Sequence, residues 1–83
     1  GNYVKAARCY RLSGSLDIAD DMLTLARQRE NGYAEIFREQ GAIYQSRGQG
    51  QEARAAYETY LELSPNAPDK HEVMAIIRRM GGM

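Results

Sequence analysis

Apolar side chains recur along this chain every three or four positions, and nowhere do they alternate with polar ones at a spacing of two. The first spacing is that of an α-helix face and the second that of a strand, so the pattern predicts helices alone. Residues 2–13 carry Tyr3, Ala6, Ala7 and Tyr10 on one face. Gly14 ends that helix as a left-handed terminal residue would. Ser15 is placed to cap the next, with Asp17 favoured in its first turn by the helix dipole. Residues 16–29 follow with Ala19, Met22, Leu23 and Ala26. Asn31-Gly32 is a turn pair. A third helix over 33–46 uses Ile36, Phe37, Gly41, Ile43 and Tyr44, and Gly48-Gln49-Gly50 reads as a second turn. A fourth over 51–63 uses Ala53, Ala56, Tyr57, Tyr60, Leu61 and Leu63. Pro65 and Pro68 end it and restart the chain. Asp69 and Glu72 form an Asp-x-x-Glu variant of the capping box at the head of a fifth helix, 69–80, which carries Val73, Met74, Ile76, Ile77 and Met80.

Shifted against itself by 34 residues, the chain falls into register without a gap. Tyr3 lands on Phe37, Ala7 on Gly41, Tyr10 on Tyr44, Gly14 on Gly48, Ala19 on Ala53 and Leu23 on Tyr57. A further shift sets Ala75 on Gly41 and Ile77 on Ile43. That period is the length of a helix-turn-helix unit in a stacked array. Small residues at Ala7, Gly41, Ala19 and Ala53 let paired helices approach closely, while the aromatic residues fill the sides. Gly41 stands inside a helix, where it costs about 1 kcal/mol relative to Ala, and close packing would offset that cost.

Phe37, Gly41, Tyr44, Gly48, Ala53, Tyr57 and Pro65, together with the weaker set Tyr3, Ala7, Tyr10, Gly14, Ala19, Leu23 and Ala26, resemble the tetratricopeptide repeat family over residues 2–80. Gln40 departs from a position usually Leu, Tyr60 from one usually Ala, and Asn31 from one usually Pro. The resemblance implies a single all-α domain spanning 1–83. Its architecture would be a right-handed α-α superhelix of two hairpins, about 1–33 and 34–67, closed by a capping helix at about 69–80. It further implies a concave groove lined by the first helix of each pair. In the shared register that groove takes Val4, Lys5, Arg8, Arg11 and Leu12 from the first unit, Glu35, Arg38, Glu39, Ala42 and Gln45 from the second, and Glu72, Ile76 and Arg79 from the last helix. Arginine forks suit carboxylates. Arg8, Arg11 and Arg38 either hold an acidic side chain or chain terminus of a partner, or form a solvated face paired with Glu35 and Glu39. Val4 and Arg8 stand where the family's carboxylate clamp has Lys and Asn, so that clamp is not expected.

Composition narrows the function. The 83 residues carry 11 Lys and Arg against 11 Asp and Glu, a formal net charge of zero. A nucleic-acid binder or a polybasic membrane segment would be basic. No run of 18 apolar residues exists, so no membrane insertion is expected. The single cysteine, Cys9, rules out an internal disulfide and fits a reducing, cytoplasmic setting. The chain opens on Gly1 with no signal pattern and reads as a piece of a longer protein. Its 60–69 junction is similar in style to those of bacterial repeat proteins.

Candidate chemistry is sparse. His71, the only histidine, has no second ligand at metal spacing. Cys9 falls on Ile43 in the register and is expected to be a buried packing group. Glu35 with Glu39, and Glu58 with Glu62, read as solvated pairs. Gly48-Gln49-Gly50 lacks the lysine and strand of a phosphate loop. The expectation is a non-enzymatic module without metal or cofactor that binds a protein or peptide partner. The alternatives are a self-association module acting through Ile76 and Met80, and an accessory domain of a larger enzyme or signalling protein.

Overall fold

A computed structural model describes residues 2–29 and 33–81, without the side chain of Tyr33. The turn expected at Asn31-Gly32 lies outside the described residues. Five helices follow in order: α1 (Asn2–Leu12), α2 (Leu16–Arg29), α3 (Tyr33–Ser46), α4 (Gly50–Leu63) and α5 (Lys70–Gly81). No strand occurs among the described residues. α1 packs on α2 and α3 on α4, as two hairpins. α2 then touches α3, α4 touches α5, and α1 lies beside α3. The overall extents are 34 × 26 × 17 Å. A helix with its side chains is about 10–12 Å across, so the molecule is one pair of helices thick and every helix has a face near water.

The two interhelical turns are built alike. Ser15 N donates to Tyr10 O at 2.8 Å and Gly14 N to Arg11 O at 3.0 Å, while Gln49 N donates to Tyr44 O at 2.9 Å and Gly48 N to Gln45 O at 3.1 Å. Both are the paired bonds of a Schellman ending, which needs a left-handed residue at the first position past the helix. Gly14 and Gly48 supply it with φ of 88° and 75°. One residue differs from the expected turn. Gly50 belongs to the first turn of α4, with Gln49 as the preceding cap residue, so the Schellman turn ends one residue earlier than its glycine content suggests.

Two apolar clusters form the core. Val4, Ala7, Ala19, Leu23, Ala26, Ile36 and Ile43 make the first. Ala53, Tyr57, Tyr60, Ala67 and Val73 make the second, with Ile76, Ile77 and Met80 of α5 laid against it. Ala7, Ala19 and Ala53 are fully buried, as close helix crossing requires. Four positions depart from expectation, one being Leu63, which is exposed at the end of α4. Cys9 is exposed, not buried. Its counterpart Ile43 faces the first cluster from α3, whereas no helix among the described residues covers that side of α1. Tyr10 is likewise exposed, and Ala75 lies on the open side of α5 instead of at a crossing.

Gly41 is where space is scarcest. A Cβ added there would stand 2.9 Å from Cδ1 and Cε1 of Tyr57. The Tyr57 ring is buried and its hydroxyl donates to Gln45 Oε1 at 3.0 Å, so the ring has nowhere to go. Overpacking of this kind costs about 1–3 kcal/mol, which outweighs the gain of about 1 kcal/mol from replacing a helical glycine. Gly41→Ala is therefore expected to lower stability by on the order of 1 kcal/mol. Gly50→Ala, with open space around its Cβ, should raise it by about 0.4–1 kcal/mol. Urea denaturation midpoints of the two variants, moving in opposite directions, check both.

Candidate functional site

Three arginines meet on one carboxylate where α1 and α3 lie side by side. Arg8 and Arg11 are three apart and so share a face of α1. Across from them on α3, Glu39 is fully buried. Its Oε2 accepts from Arg8 Nε at 3.0 Å and its Oε1 from Arg11 Nε at 3.0 Å. Arg38 Nη1 stands 3.6 Å from Oε2. A buried carboxylate without partners would cost far more than the helix could supply, and ion-paired hydrogen bonds on both oxygens are what make it tenable. Arg8 also approaches Glu35, at 3.9 Å.

The chain of charges continues past Arg38. Its Nε donates to Asp69 Oδ2 at 2.6 Å, and the Tyr60 hydroxyl donates to Asp69 Oδ1 at 2.6 Å. Asp69 thus gives both oxygens to donors far away in sequence, in place of the capping box expected with Glu72. The link runs from α1 through α3 and α4 to the residue just before α5. Partial burial pushes the Asp69 carboxyl upward, but the hydrogen bonds from Tyr60 and Arg38 and the Arg38 charge outweigh it and hold the group below the usual carboxylate range. Burial first, then the bond to Asp69 and its charge, push Tyr60 up to about 12. Burial alone would lower Arg38, yet its bond to Asp69 and the charges of Asp69 and Glu39 raise it. Burial also raises Tyr57.

Of the residues the sequence proposed for a groove, Arg8, Arg11 and Arg38 are brought together, and all three engage carboxylates of this same chain. Lys5 and Arg79 are exposed on α1 and α5 and make no ion pair among the described residues. Gln45 is exposed and accepts from Tyr57. Val4 and Ala42, read as groove positions, are core. Glu39, read as half of a solvated pair with Glu35, is the most buried charge in the described chain. Its signal was present in the sequence: Ile36, Glu39 and Ile43 share one helical stripe, and both isoleucines are core.

Two of the three departures from the repeat pattern also find partners, the third, Asn31, lying outside the described residues. Tyr60 reaches Asp69, and Gln40 accepts from Arg27 at 2.6 Å while the Arg27 guanidinium lies 5.7 Å over the Phe37 ring. Near the second turn, Arg47 bridges Asp17 at 2.7 Å and Asp20 at 2.8 Å, tying the end of α3 to α2. Ile76 and Met80, proposed for self-association, are half-buried against the second cluster.

Among the described residues no group of three or more His, Cys, Asp or Glu is placed to hold a metal ion, and no helix is long and apolar enough to cross a membrane. Compared with protein-family models, curated proteins and solved structures, the chain has no match.

Stripping the partners from Glu39 should cost more than removing its charge. Arg8→Met with Arg11→Met leaves the buried carboxylate with Arg38 alone, an expected loss of about 3–5 kcal/mol. Glu39→Gln costs less, because Arg8 can turn its exposed half to water. The triple variant should recover part of the double variant's loss, a coupling that a denaturation-based mutant cycle measures directly.

Asp69 and Tyr60 set opposite limbs of the pH profile. Asp69 has a folded value below its ordinary 3.8, so its contribution is full above that pH and is lost as pH falls through the folded value. Tyr60 has a folded value above its ordinary 10.0, so its contribution is full below pH 10 and is lost as pH rises towards about 12. Melting temperature should be flattest between these limits. Tyr60→Phe should soften the alkaline limb and Asp69→Asn the acid one.

Proposed function

We propose that this chain is a tetratricopeptide-like protein-interaction module, two hairpins and a closing helix wound as a right-handed superhelix, whose α1–α3 groove takes an acidic group of a partner protein or peptide. The architectural part of this reading is supported by the turns. Residues 16–29 and 50–63 are helices of equal length set 34 residues apart, and each is entered through the same glycine-containing Schellman turn. The α1–α3 contact is the one such an array uses to line its inner face.

The observation that carries the binding reading is the arginine cluster. Arg8 and Arg11 each give Nε to Glu39, and Arg38 gives its Nε to Asp69. A guanidinium has five N–H donors, so most of each fork remains for another acceptor. Anchoring by a buried carboxylate fixes the forks in place before a ligand arrives, and less side-chain freedom is then lost on binding. Arg8, with 46% of its side chain exposed, is the most open of the three. Exposed Lys5 and Arg79 belong to the same proposed surface. No residue of the cluster is proposed to do chemistry.

Charge reversal at Arg8 or Arg38 is a poor test, since it removes a partner of buried Glu39 and so lowers stability for reasons unrelated to binding. A better one titrates the ¹⁵N-labelled chain with a Glu/Asp-rich peptide bearing a free carboxyl terminus. The expected result is amide shifts confined to α1, α3 and the end of α5 around Arg79, movement of the Arg Nε signals, and weakening of binding with added salt. Lys5→Glu combined with Arg79→Glu should reduce the affinity several-fold at unchanged melting temperature. Shifts elsewhere, or equal response to an amidated basic peptide, would sink the reading.

A further inference from the structure

On the side formed by α4 and α5 lies an open hollow of about 600 Å³ lined by Glu58, Leu61, Glu62, Met74, Ile77 and Arg78. Glu58, Leu61 and Glu62 are spaced three and four apart on α4, and Met74, Ile77 and Arg78 are spaced the same way on α5. Each helix therefore offers one stripe of similar make: apolar side chains beside charge, acidic on α4 and basic on α5. The stripe on α5 straddles the edge of that helix's inward face, with Ile77 on both. Val73, Ile76, Ile77 and Met80 meet the second cluster, and Met74 lies one residue round from them, with 37% of its surface exposed. Glu62 and Arg78 make no ion pair among the described residues, and Glu58 has only the weak 3.5 Å contact with Arg54.

We infer that the α4–α5 hollow is a two-fold self-association surface, occupied by the same hollow of a second copy of this chain. The charge arrangement selects that occupant. In an isologous contact each residue faces its counterpart's neighbours across the axis, so a patch must complement itself. A patch with an acidic rim on one helix, a basic rim on the other and an apolar floor between them does so. Glu62 of each copy meets Arg78 of the other, and the pair occurs twice. Met74, Ile77 and Leu61 then close on the partner's Met74, Ile77 and Leu61. A formal net charge of zero means that two copies approach without overall repulsion. The face is separate from the α1–α3 arginine cluster, so this inference stands or falls apart from the groove reading. Its floor shares Leu61 and Ile77 with the chain's own second cluster, while Ile76 and Met80, packed on that cluster too, lie outside the hollow.

The test is sedimentation equilibrium on the whole chain from micromolar to millimolar concentration. The expected mass rises from one chain of 9.3 kDa towards two and no further. Glu62→Arg and Arg78→Glu should each weaken the dimer by about tenfold or more, because each turns two attractive pairs into repulsive ones. Both side chains are exposed, so helix content by circular dichroism should not change. An equimolar mixture of the two variants should associate again as a mixed dimer, and so should the chain carrying both changes. A wild-type mass of one chain throughout overturns the inference. So does a mass that climbs past two, which marks an open-ended contact, or a dimer that neither swap weakens.

Discussion

Burying Glu39 is the demand around which this small protein is arranged. A carboxylate taken wholly out of water must be met on both oxygens by charged donors, and a helix has none to spare on its own backbone. The donors come from a different helix, Arg8 and Arg11 of α1, with Arg38 from the adjacent position on α3. Satisfying Glu39 therefore fixes how the first hairpin sits against the second. Asp69 in turn takes Arg38 and Tyr60, which brings the segment between Pro65 and α5 onto the second hairpin. Apolar burial would hold these helices together in several nearby settings, whereas hydrogen bonds at 2.6–3.0 Å admit few.

The apolar packing is shaped by the same economy of space. Alanines at 7, 19 and 53 are fully buried where helices cross, and Gly41 goes further by leaving room for the face of the Tyr57 ring. That ring reaches across to Gln45, so a single missing methyl group lets an aromatic side chain serve as both filler and hydrogen-bond donor. With a molecule only one helix pair thick, each such contact is a large share of what holds its neighbourhood together.

Helix positions were almost wholly legible in the sequence, because period and glycine placement are local signals. The bounds of α2 and α3 are those expected, and those of α1, α4 and α5 move by a single residue. Burial was less legible because it depends on what lies opposite. Cys9 and Ile43 occupy equivalent positions, yet only Ile43 has a helix across from it. The arginines were singled out from their spacing and residue type. What they hold was missed, since a glutamate on an apolar stripe looks like an exception to be solvated unless one asks which cations the next helix can deliver. Tyr60 and Asp69 were read as a substitution and a cap. Nine residues of separation and a proline-bearing junction hid that they bond to each other.

α1 and α5 make no contact with each other among the described residues. Elements that share no contact ordinarily open independently, and either end of a small helical protein can fray without the other. The run from Arg8 and Arg11 through Glu39 and Arg38 to Asp69 changes that rule. Loosening the first hairpin withdraws two donors from Glu39 and leaves Arg38, which also holds Asp69, as its remaining cation. A disturbance at the amino-terminal helix can thus be felt at the carboxy-terminal one without passing through the apolar clusters. The first and last helices, which never touch, are thereby joined by a continuous run of ion-paired hydrogen bonds.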